Sequence, residues 1–209
     1  MSSNNERTVK RNTKQDILNT CIDLFSEVGF SSVSIRDITK KVGINESSFY
    51  NHYKNKDEIL DRIIEKFIQD FGKSFSDDTA ALERQMVGVE PEAFFQYHLI
   101  KLRDSMTPEM QKIWRIIYME MFKNIRTRDF FINIALKKSA EYYERIFEVM
   151  MDKNLIKRVD PKILSNEYNY ALMGFQIENL LLEADNADIA DNAKKMFAHI
   201  RFLCEAIKI

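Results

Sequence analysis

Residues that make turns are scarce in this chain of 209 residues, which has 5 glycines and 3 prolines. All-β folds and doubly wound α/β folds need many tight turns, so this scarcity disfavours both. The chain also lacks an excess of one charge, with 31 Lys and Arg against 32 Asp and Glu. The near-neutral balance excludes a globally polybasic nucleic-acid coat.

Residues for metal and redox chemistry are also few. The two cysteines, Cys21 and Cys204, lie far apart in sequence and belong to no Cys-x-x-Cys pair or histidine cluster. Because both lie in apolar helical patterns, we expect reduced core cysteines rather than a disulfide or metal ligands. The three histidines, at positions 52, 98 and 199, are widely separated. A helical enzyme is therefore disfavoured, and no cofactor is expected.

Long apolar segments are missing too. No run of about 18 apolar residues occurs, and the polar stretch from Met1 to Lys14 does not resemble a signal peptide. We therefore expect a cytoplasmic protein that spans no membrane. What the chain does contain is 45% hydrophobic and 11% aromatic residues, which is ample for a folded core.

Helix start signals recur along the chain, and apolar residues repeat at helical spacing behind each of them. The candidate caps are Thr13 with Asp16, Ser34 with Asp37, Asn45, Asn55, Thr107 and Asp160. Gly29 and Gly43 are expected to end the first two helices in the left-handed conformation. Beyond a loop at 76–91, helices are predicted at about 92–106, 108–125, 128–152, 161–184 and 188–207. No strand alternation is evident, so the sequence predicts an all-α fold of about nine helices.

Residues 34–53 have the layout of a helix-turn-helix. A helix over 35–42 is followed by a tight turn at 43–45 and a second helix over 46–52, which such a unit exposes to a DNA major groove. Spacing places Phe49 and Tyr53 toward the core of the unit. The opposite side carries Glu46, Ser47, Tyr50 and Asn51, and Arg36 and Lys40 of the preceding helix can point the same way. The alternative is a helical hairpin with a merely solvated face.

The residues themselves are more specific than this layout. The segment 34–60, SIRDITKKVGINESSFYNHYKNKDEIL, resembles the N-terminal signature of TetR-family transcriptional regulators, and 24–30, LFSEVGF, resembles the element that precedes it. The resemblance covers about residues 13–60. It implies a homodimer that places two helix-turn-helix heads on a palindromic operator in double-stranded DNA. It also implies a C-terminal helical domain for ligand binding and dimerisation.

Carried over by position, the resemblance assigns two sets of DNA-binding residues. The base-facing candidates are Arg36, Glu46, Ser47 and Tyr50, with Lys40 nearby. The candidates nearer phosphates are Ser34, Ser48, Asn51, His52 and Lys56. Core packing remains the alternative for Tyr50 and His52. One departure concerns Ser47, because the family often has Gly or Ala there, and the bases it meets are therefore undefined.

The resemblance also suggests domain boundaries. We expect a flexible basic arm at 1–12, the helix-turn-helix domain at 13–55, a connecting helix at 56–75 and the ligand-binding and dimerisation domain at 76–209. In and beside the arm, Arg7, Lys10, Arg11 and Lys14 outnumber Glu6, a surplus of three positive charges. These charges suit contact with the DNA backbone or minor groove, or simply a solubilising tail.

The C-terminal region carries two further expectations. Aromatic and methionine side chains between 94 and 131 suit an apolar ligand pocket, with simple core packing as the alternative. The predicted pocket residues are Tyr97, His98, Met106, Trp114, Tyr118, Met121 and Phe122. Apolar stripes on the last two helices suit a four-helix dimer interface, unless they are buried within one chain. The predicted interface residues are Leu164, Tyr168, Leu172, Phe175, Phe197, Ile200 and Cys204.

The favoured hypothesis is a repressor that a small apolar or aromatic effector releases from its operator. The effector must bind the two conformations of the protein with different affinity. The connection at 124–127 is a candidate relay between core helices. The alternative is a TetR-like protein-interaction adaptor or co-activator without a ligand of its own.

Overall fold

The fold is all-α, as the sequence predicts. The structure, a computed structural model, describes residues 12–73, 75 and 78–209, so Arg7, Lys10 and Arg11 of the basic arm lie outside the described residues. The helices in the described part are α1 (Thr13–Val28), α2 (Ile35–Val42), α3 (Glu46–Tyr50), α4 (Lys56–Gly72), α5 (Thr79–Gln85), α6 (Pro91–Ser105), α7 (Pro108–Glu120), α8 (Ile125–Phe130), α9 (Ser139–Asp152), α10 (Pro161–Ala184) and α11 (Ala190–Ala206). A 3₁₀ turn (Phe30–Ser32) follows α1. A π-helical segment (Phe131–Lys138) joins α8 to α9 without a break.

Most predicted caps are confirmed by their hydrogen bonds. At the start of α2 the Ser34 hydroxyl accepts from the Asp37 backbone N–H at 3.2 Å, and the Asp37 carboxylate accepts from the Ser34 N–H at 2.9 Å. The Asp37 carboxylate also accepts from the Ser34 hydroxyl, and this bond, together with the one from the Ser34 N–H, holds the pKa of Asp37 below its ordinary value. Asn45, Asn55, Thr107 and Asp160 also cap their helices. The cap predicted for the first helix, Thr13, is wrong by one residue. Asn12 caps α1 instead, and its side chain accepts from the Gln15 N–H.

The two glycines end their helices differently. Gly43 has φ 76° and ψ 42°, the predicted left-handed conformation. Gly29 has a positive φ of 82°, but its ψ of 153° is extended. The prediction for Gly29 is therefore wrong in ψ, because the chain leaves α1 straight into the 3₁₀ turn.

One boundary in the C-terminal region also differs from the prediction. The helix expected over 108–125 ends at Glu120, and a turn leads to Asn124, whose side chain accepts from the Arg126 and Thr127 N–H groups and starts α8. Helical backbone then continues from 125 to 152. This break ends the continuous helix on which the predicted pocket face depends.

Two sets of helices are thus stacked on each other. The first three helices enclose a small core around Phe25 and Phe49, both fully buried. We call residues 13–55 the head. Helix α1 packs on α7, and α4 packs on α7 and α8, so the head rests directly on the larger body formed by α5 to α11. No helix within the described ranges is long and apolar enough to cross a membrane.

Candidate nucleic-acid interface and interior cavity

The second helix of the helix-turn-helix presents a polar outer face. Phe49 is fully buried and Tyr53 is 3% exposed, whereas the neighbouring Tyr50 is 54% exposed. Glu46, Ser47 and Asn51 are also exposed. The packing alternative for Tyr50 therefore does not describe this structure. An exposed ring beside small hydroxyl and amide groups permits close approach to base edges.

Helix α2 and the ends of α3 complete this face. Ser34, Arg36 and Lys40 are exposed on and before α2, whereas Ser48 within α3 and His52 just after it are half-buried. The guanidinium of Arg36 and the ammonium of Lys40 are the types of group that contact DNA phosphates and guanine edges. We call Arg36, Lys40, Glu46, Ser47 and Tyr50 the recognition face.

Lys56 has a different environment from the one expected. Its ammonium donates to the Phe30 carbonyl at 2.9 Å and to the Val33 carbonyl, and it lies 4.5 Å from the centroid of the Phe30 ring. The ammonium therefore ties the start of α4 to the α1–α2 connection. Because the Lys56 side chain is already bonded within the protein, a phosphate at this position would have to bind the backbone N–H groups at the start of α4.

Tyr53 secures the head from the other side, a role that sequence spacing did not reveal. Its hydroxyl donates to the Lys14 carbonyl at 3.2 Å, and the Lys14 ammonium lies 5.4 Å from the Tyr53 ring centroid. Burial raises the pKa of this hydroxyl. Lys14, counted with the basic arm in the sequence, thus belongs structurally to α1.

A cavity of about 450 Å³ lies between α4, α6, α7, α9, α10 and α11 and is partly open to solvent. This volume lies within the range of small-molecule sites. Its wall is mainly apolar and includes Phe71, Phe75, Leu99, Met106, Trp114, Tyr143, Leu172, Met173, Leu180, Met196 and Phe197. Of the predicted pocket residues, the structure brings Met106 and Trp114 to this wall.

The other predicted pocket residues lie elsewhere. Tyr97 and Phe122 are on the surface, 58% and 80% exposed, because Tyr97 lies on the outer face of α6 and α7 ends two residues before Phe122. Met121 is in the turn after α7. Tyr118 stacks on Trp114 with ring centroids 5.5 Å apart and is not itself part of the wall.

His98 lines a second, more open cleft between α4, α6 and the start of α7. It stacks on Phe94 and lies 5.6 Å from the Tyr142 ring. Burial lowers the pKa of His98. The side chain is thus a packing element of α6 and is not itself part of the apolar cavity wall, although its ring lies 6.2 Å from the ring of Tyr143.

Most of the predicted dimer residues are buried within one chain. Leu164, Tyr168, Leu172, Ile200 and Cys204 are each at most 9% exposed. The Tyr168 ring, for example, lies 4.8 Å from the rings of Phe95 and Tyr143. Phe175 is half-buried against His199, and Phe197 is on the cavity wall. The monomer-core alternative is therefore the correct description of most of this stripe.

A different stripe of α10 and α11 is exposed. Ile163, Tyr170, Ile177 and Leu181 of α10 are 61%, 58%, 40% and 63% exposed, and Phe202 of α11 is 73% exposed. The first three are spaced seven residues apart, a signal that was readable in the sequence. We call these five residues the exposed α10–α11 stripe. Exposed apolar side chains that repeat along one helix face are typical of interaction surfaces.

Several polar contacts join head and body. The buried Glu120 carboxylate at the end of α7 accepts from the Phe30 N–H at 3.2 Å. Lys112 of α7 pairs with Asp23 of α1 at 2.6 Å. Arg126 of α8 pairs with Asp61 of α4 at 2.8 Å. The predicted relay at 124–127 thus contains a residue that contacts α4.

Comparisons with known proteins identify this arrangement. Residues 17–63 match the profile of the bacterial regulatory proteins, tetR family. The negative transcriptional regulator IcaR of the biofilm operon icaADBC from Staphylococcus epidermidis is 42% identical over 52 residues, 25% of this chain and 28% of IcaR. The transcriptional regulator YerO of Bacillus subtilis is 28% identical over 116 residues, 50% of this chain and 40% of YerO. The matches thus span less than half the length of these relatives.

Solved structures extend the likeness to the whole fold. A TetR-family transcriptional regulator from Mesorhizobium loti superposes with a TM-score of 0.67 at 14% identity, over 94% of this chain and 97% of that one. SmeT, solved in complex with triclosan, superposes with a TM-score of 0.63 at 17% identity, over 95% and 93%. Residues 17–63 thus carry the helix-turn-helix signature of the TetR family of transcriptional regulators, and the chain as a whole has the fold of solved TetR-family proteins, a helix-turn-helix head on a helical body.

Proposed function

We propose that this protein is a dimeric, ligand-responsive repressor that acts on DNA in the cytoplasm. One observation supports it above the others: a single chain combines an exposed recognition face with an interior, mainly apolar cavity. The head that carries the face rests on helices α4 and α7, which also wall the cavity. A guest in the cavity can therefore act on the head through shared helices.

The DNA contacts we propose come from the recognition face. Tyr50, Ser47 and Glu46 meet base edges, with Arg36 and Lys40 beside them on α2. Ser34, Ser48, Asn51 and His52 lie at the rim, closer to phosphates. Glu46 is suited to accept from a cytosine amino group and disfavours contact with phosphate.

The dimer we propose uses the exposed α10–α11 stripe and replaces the interface expected from the sequence. Two copies of α10 and α11 would form a four-helix bundle that covers the apolar side chains of both chains. Such a dimer presents two heads, which a palindromic operator requires at about 34 Å, one turn of DNA.

The coupling we propose runs through α4 and α7. A guest that displaces Phe71 or Trp114 shifts the helix that carries it. Helix α7 holds the head through Glu120 and Lys112, and α4 enters the head at Lys56. Repression fails when the guest binds better to the conformation in which the two heads no longer fit adjacent grooves.

Two similar proteins support repression rather than activation. IcaR is a negative regulator, and SmeT is described as the repressor of a multidrug efflux pump. We infer the same sign for this chain. A reporter gene behind its own promoter should be more active in a deletion strain, and lower activity in that strain would indicate an activator instead.

Direct binding to DNA is the central test. The upstream region of the protein's own gene, labelled with a fluorophore, should bind the dimer, and affinity should fall steeply as salt rises despite the formal charge of −1. Arg36→Gln should lower both the affinity and the salt slope. A matched control is Lys195→Gln on α11, in the body, which should change neither. A flat salt response or DNA binding only in the presence of a protein partner would favour the adaptor.

A further inference from the structure

The cavity follows one helix. Seven residues of α10 line it at helical spacing: Asn169, Leu172, Met173, Gln176, Asn179, Leu180 and Glu183. From the first to the last, an α-helix rises about 21 Å. A lining of this length with a cavity volume of about 450 Å³ describes an elongated space, which suits an extended hydrocarbon chain.

The middle of the cavity suits such a chain. Leu172, Met173 and Leu180 of α10 line this part of the cavity together with two further methionines, Met106 after α6 and Met196 of α11. Methionine side chains are unbranched and adapt to an irregular guest. A flexible apolar chain can therefore be enclosed without a preformed rigid outline.

The inner end of the cavity is polar, and its polar side chains already have hydrogen-bond partners. The Ser139 hydroxyl lies 3.0 Å from the Asn169 side-chain oxygen, and the Asn169 amide donates to the Leu136 carbonyl at 3.0 Å. Both side chains are 1% exposed or less. A charged group of a guest would therefore find no unpaired partner among these side chains.

The outer end is acidic. Glu183 and Asp188 line the cavity there, and the segment 183–191 contains four carboxylates and no Lys or Arg. Within the described part of the chain, no cation lies at ion-pair distance from Glu183. Glu183 is also in the last turn of α10, where the helix dipole disfavours an anion. A positive group is therefore stabilised at this end, and a carboxylate is repelled.

One cation, Arg103 of α6, also lines the cavity, and its guanidinium forms a solvent-exposed ion pair with the adjacent Asp104 at 3.1 Å. On the opposite wall, Trp114 is 1% exposed and its indole N–H has no acceptor in the described ranges. An ether, ester or amide oxygen within a guest would satisfy that donor.

We propose that the cavity binds a single-chain amphiphile with a cationic head group. The hydrocarbon chain lies along α10, and the head group lies against Glu183 at the acidic end. This inference rests on the proposed function, in which the cavity is the effector site, and it names the chemical class of the effector.

The only tryptophan of the chain provides the readout, because Trp114 lies on the cavity wall. Its fluorescence is titrated, below micelle-forming concentrations, with three probes of equal chain length: dodecyltrimethylammonium, dodecanol and dodecanoate. We expect the cation to bind about fivefold more tightly than the alcohol and the carboxylate to bind weakest. Equal binding of all three, or preference for the carboxylate, would overturn the proposal.

A charge-removing variant assigns the preference to one residue. Glu183→Gln should reduce the advantage of the cation to about twofold or less, while the alcohol binds as before. Glu167→Gln, on the same helix but outside the cavity, should leave the preference intact. A cation preference that survives Glu183→Gln would also overturn the proposal. Since fluorescence is read without DNA, absence of operator binding would count against the repressor alone.

Discussion

In the proposed function, the head and the body of this protein act in opposite ways. The head acts through exposed residues: Tyr50, Ser47 and Arg36 lie outside a small core, and the backbone beneath them is set by caps within three residues. The body acts through its interior, a cavity walled by residues from six helices. Surface function needs only the correct local helix, whereas interior function needs every surrounding helix in place.

The strongest test of this contrast lies in two adjacent residues of α3. Phe49→Ala should lower the free energy of unfolding of the head by about 3 to 5 kcal/mol, because the ring is fully buried. Tyr50→Ala should leave unfolding nearly unchanged and weaken operator binding by about 1 to 3 kcal/mol. Thermal unfolding and operator affinity, measured on both variants, check the pair. Full operator affinity in Tyr50→Ala would refute the recognition face.

A second pair tests the proposed dimer face of the body. Leu181→Glu introduces a charge into the exposed α10–α11 stripe and should weaken dimerisation by about 2 kcal/mol or more, with little effect on the monomer. Leu172 is one of the residues that the sequence predicted for the dimer interface, but it is buried within the chain. Leu172→Ala should therefore destabilise the fold by about 2 to 5 kcal/mol. Light scattering and denaturant unfolding separate the two outcomes. An unchanged dimer in Leu181→Glu would exclude this face.

The third prediction concerns the junction of head and body. Glu120→Ala leaves the Phe30 N–H without its acceptor and should cost about 1 to 3 kcal/mol of unfolding free energy. Glu120→Gln keeps an acceptor oxygen and should cost less. If the contact also transmits the effector signal, operator release by a guest should weaken in the alanine variant more than in the glutamine variant. Equal release in both would limit Glu120 to stability.

The smallest expected effect is a pH dependence of the body. Burial lowers the pKa of His98 from its ordinary value of 6.5, so the unfolded chain binds the proton more readily. Its contribution to stability is complete above that pH and is lost as pH falls through the lowered value. Unfolding free energy should therefore decline below about pH 6.5, and His98→Gln should flatten the slope. His199, whose pKa burial also lowers, accounts for a further part, which His199→Gln should remove.

Local signals made much of the head predictable. Ser34, Asn45 and Asn55 each cap the helix that the sequence assigned to them, because a cap bonds to a backbone N–H only three residues away. The spacing of Phe49 and Tyr53 against Tyr50 likewise separates buried from exposed within one helical turn. Two features of the head differ from expectation. The cap of α1 is Asn12 rather than Thr13. The Lys56 ammonium bonds to carbonyls more than twenty residues away, which local signals do not reveal.

The sequence by itself determined the all-α class, most helix starts and the recognition face of the head, because these depend on neighbours along the chain. Only the tertiary structure decided which apolar residues of the body form core, cavity wall or exposed stripe. Tyr168 and Tyr170 show why: one is 1% and the other 58% exposed, although they are two residues apart on the same helix. Their chemistry is identical, and their roles follow from whether Phe95 and Tyr143, distant in sequence, cover them.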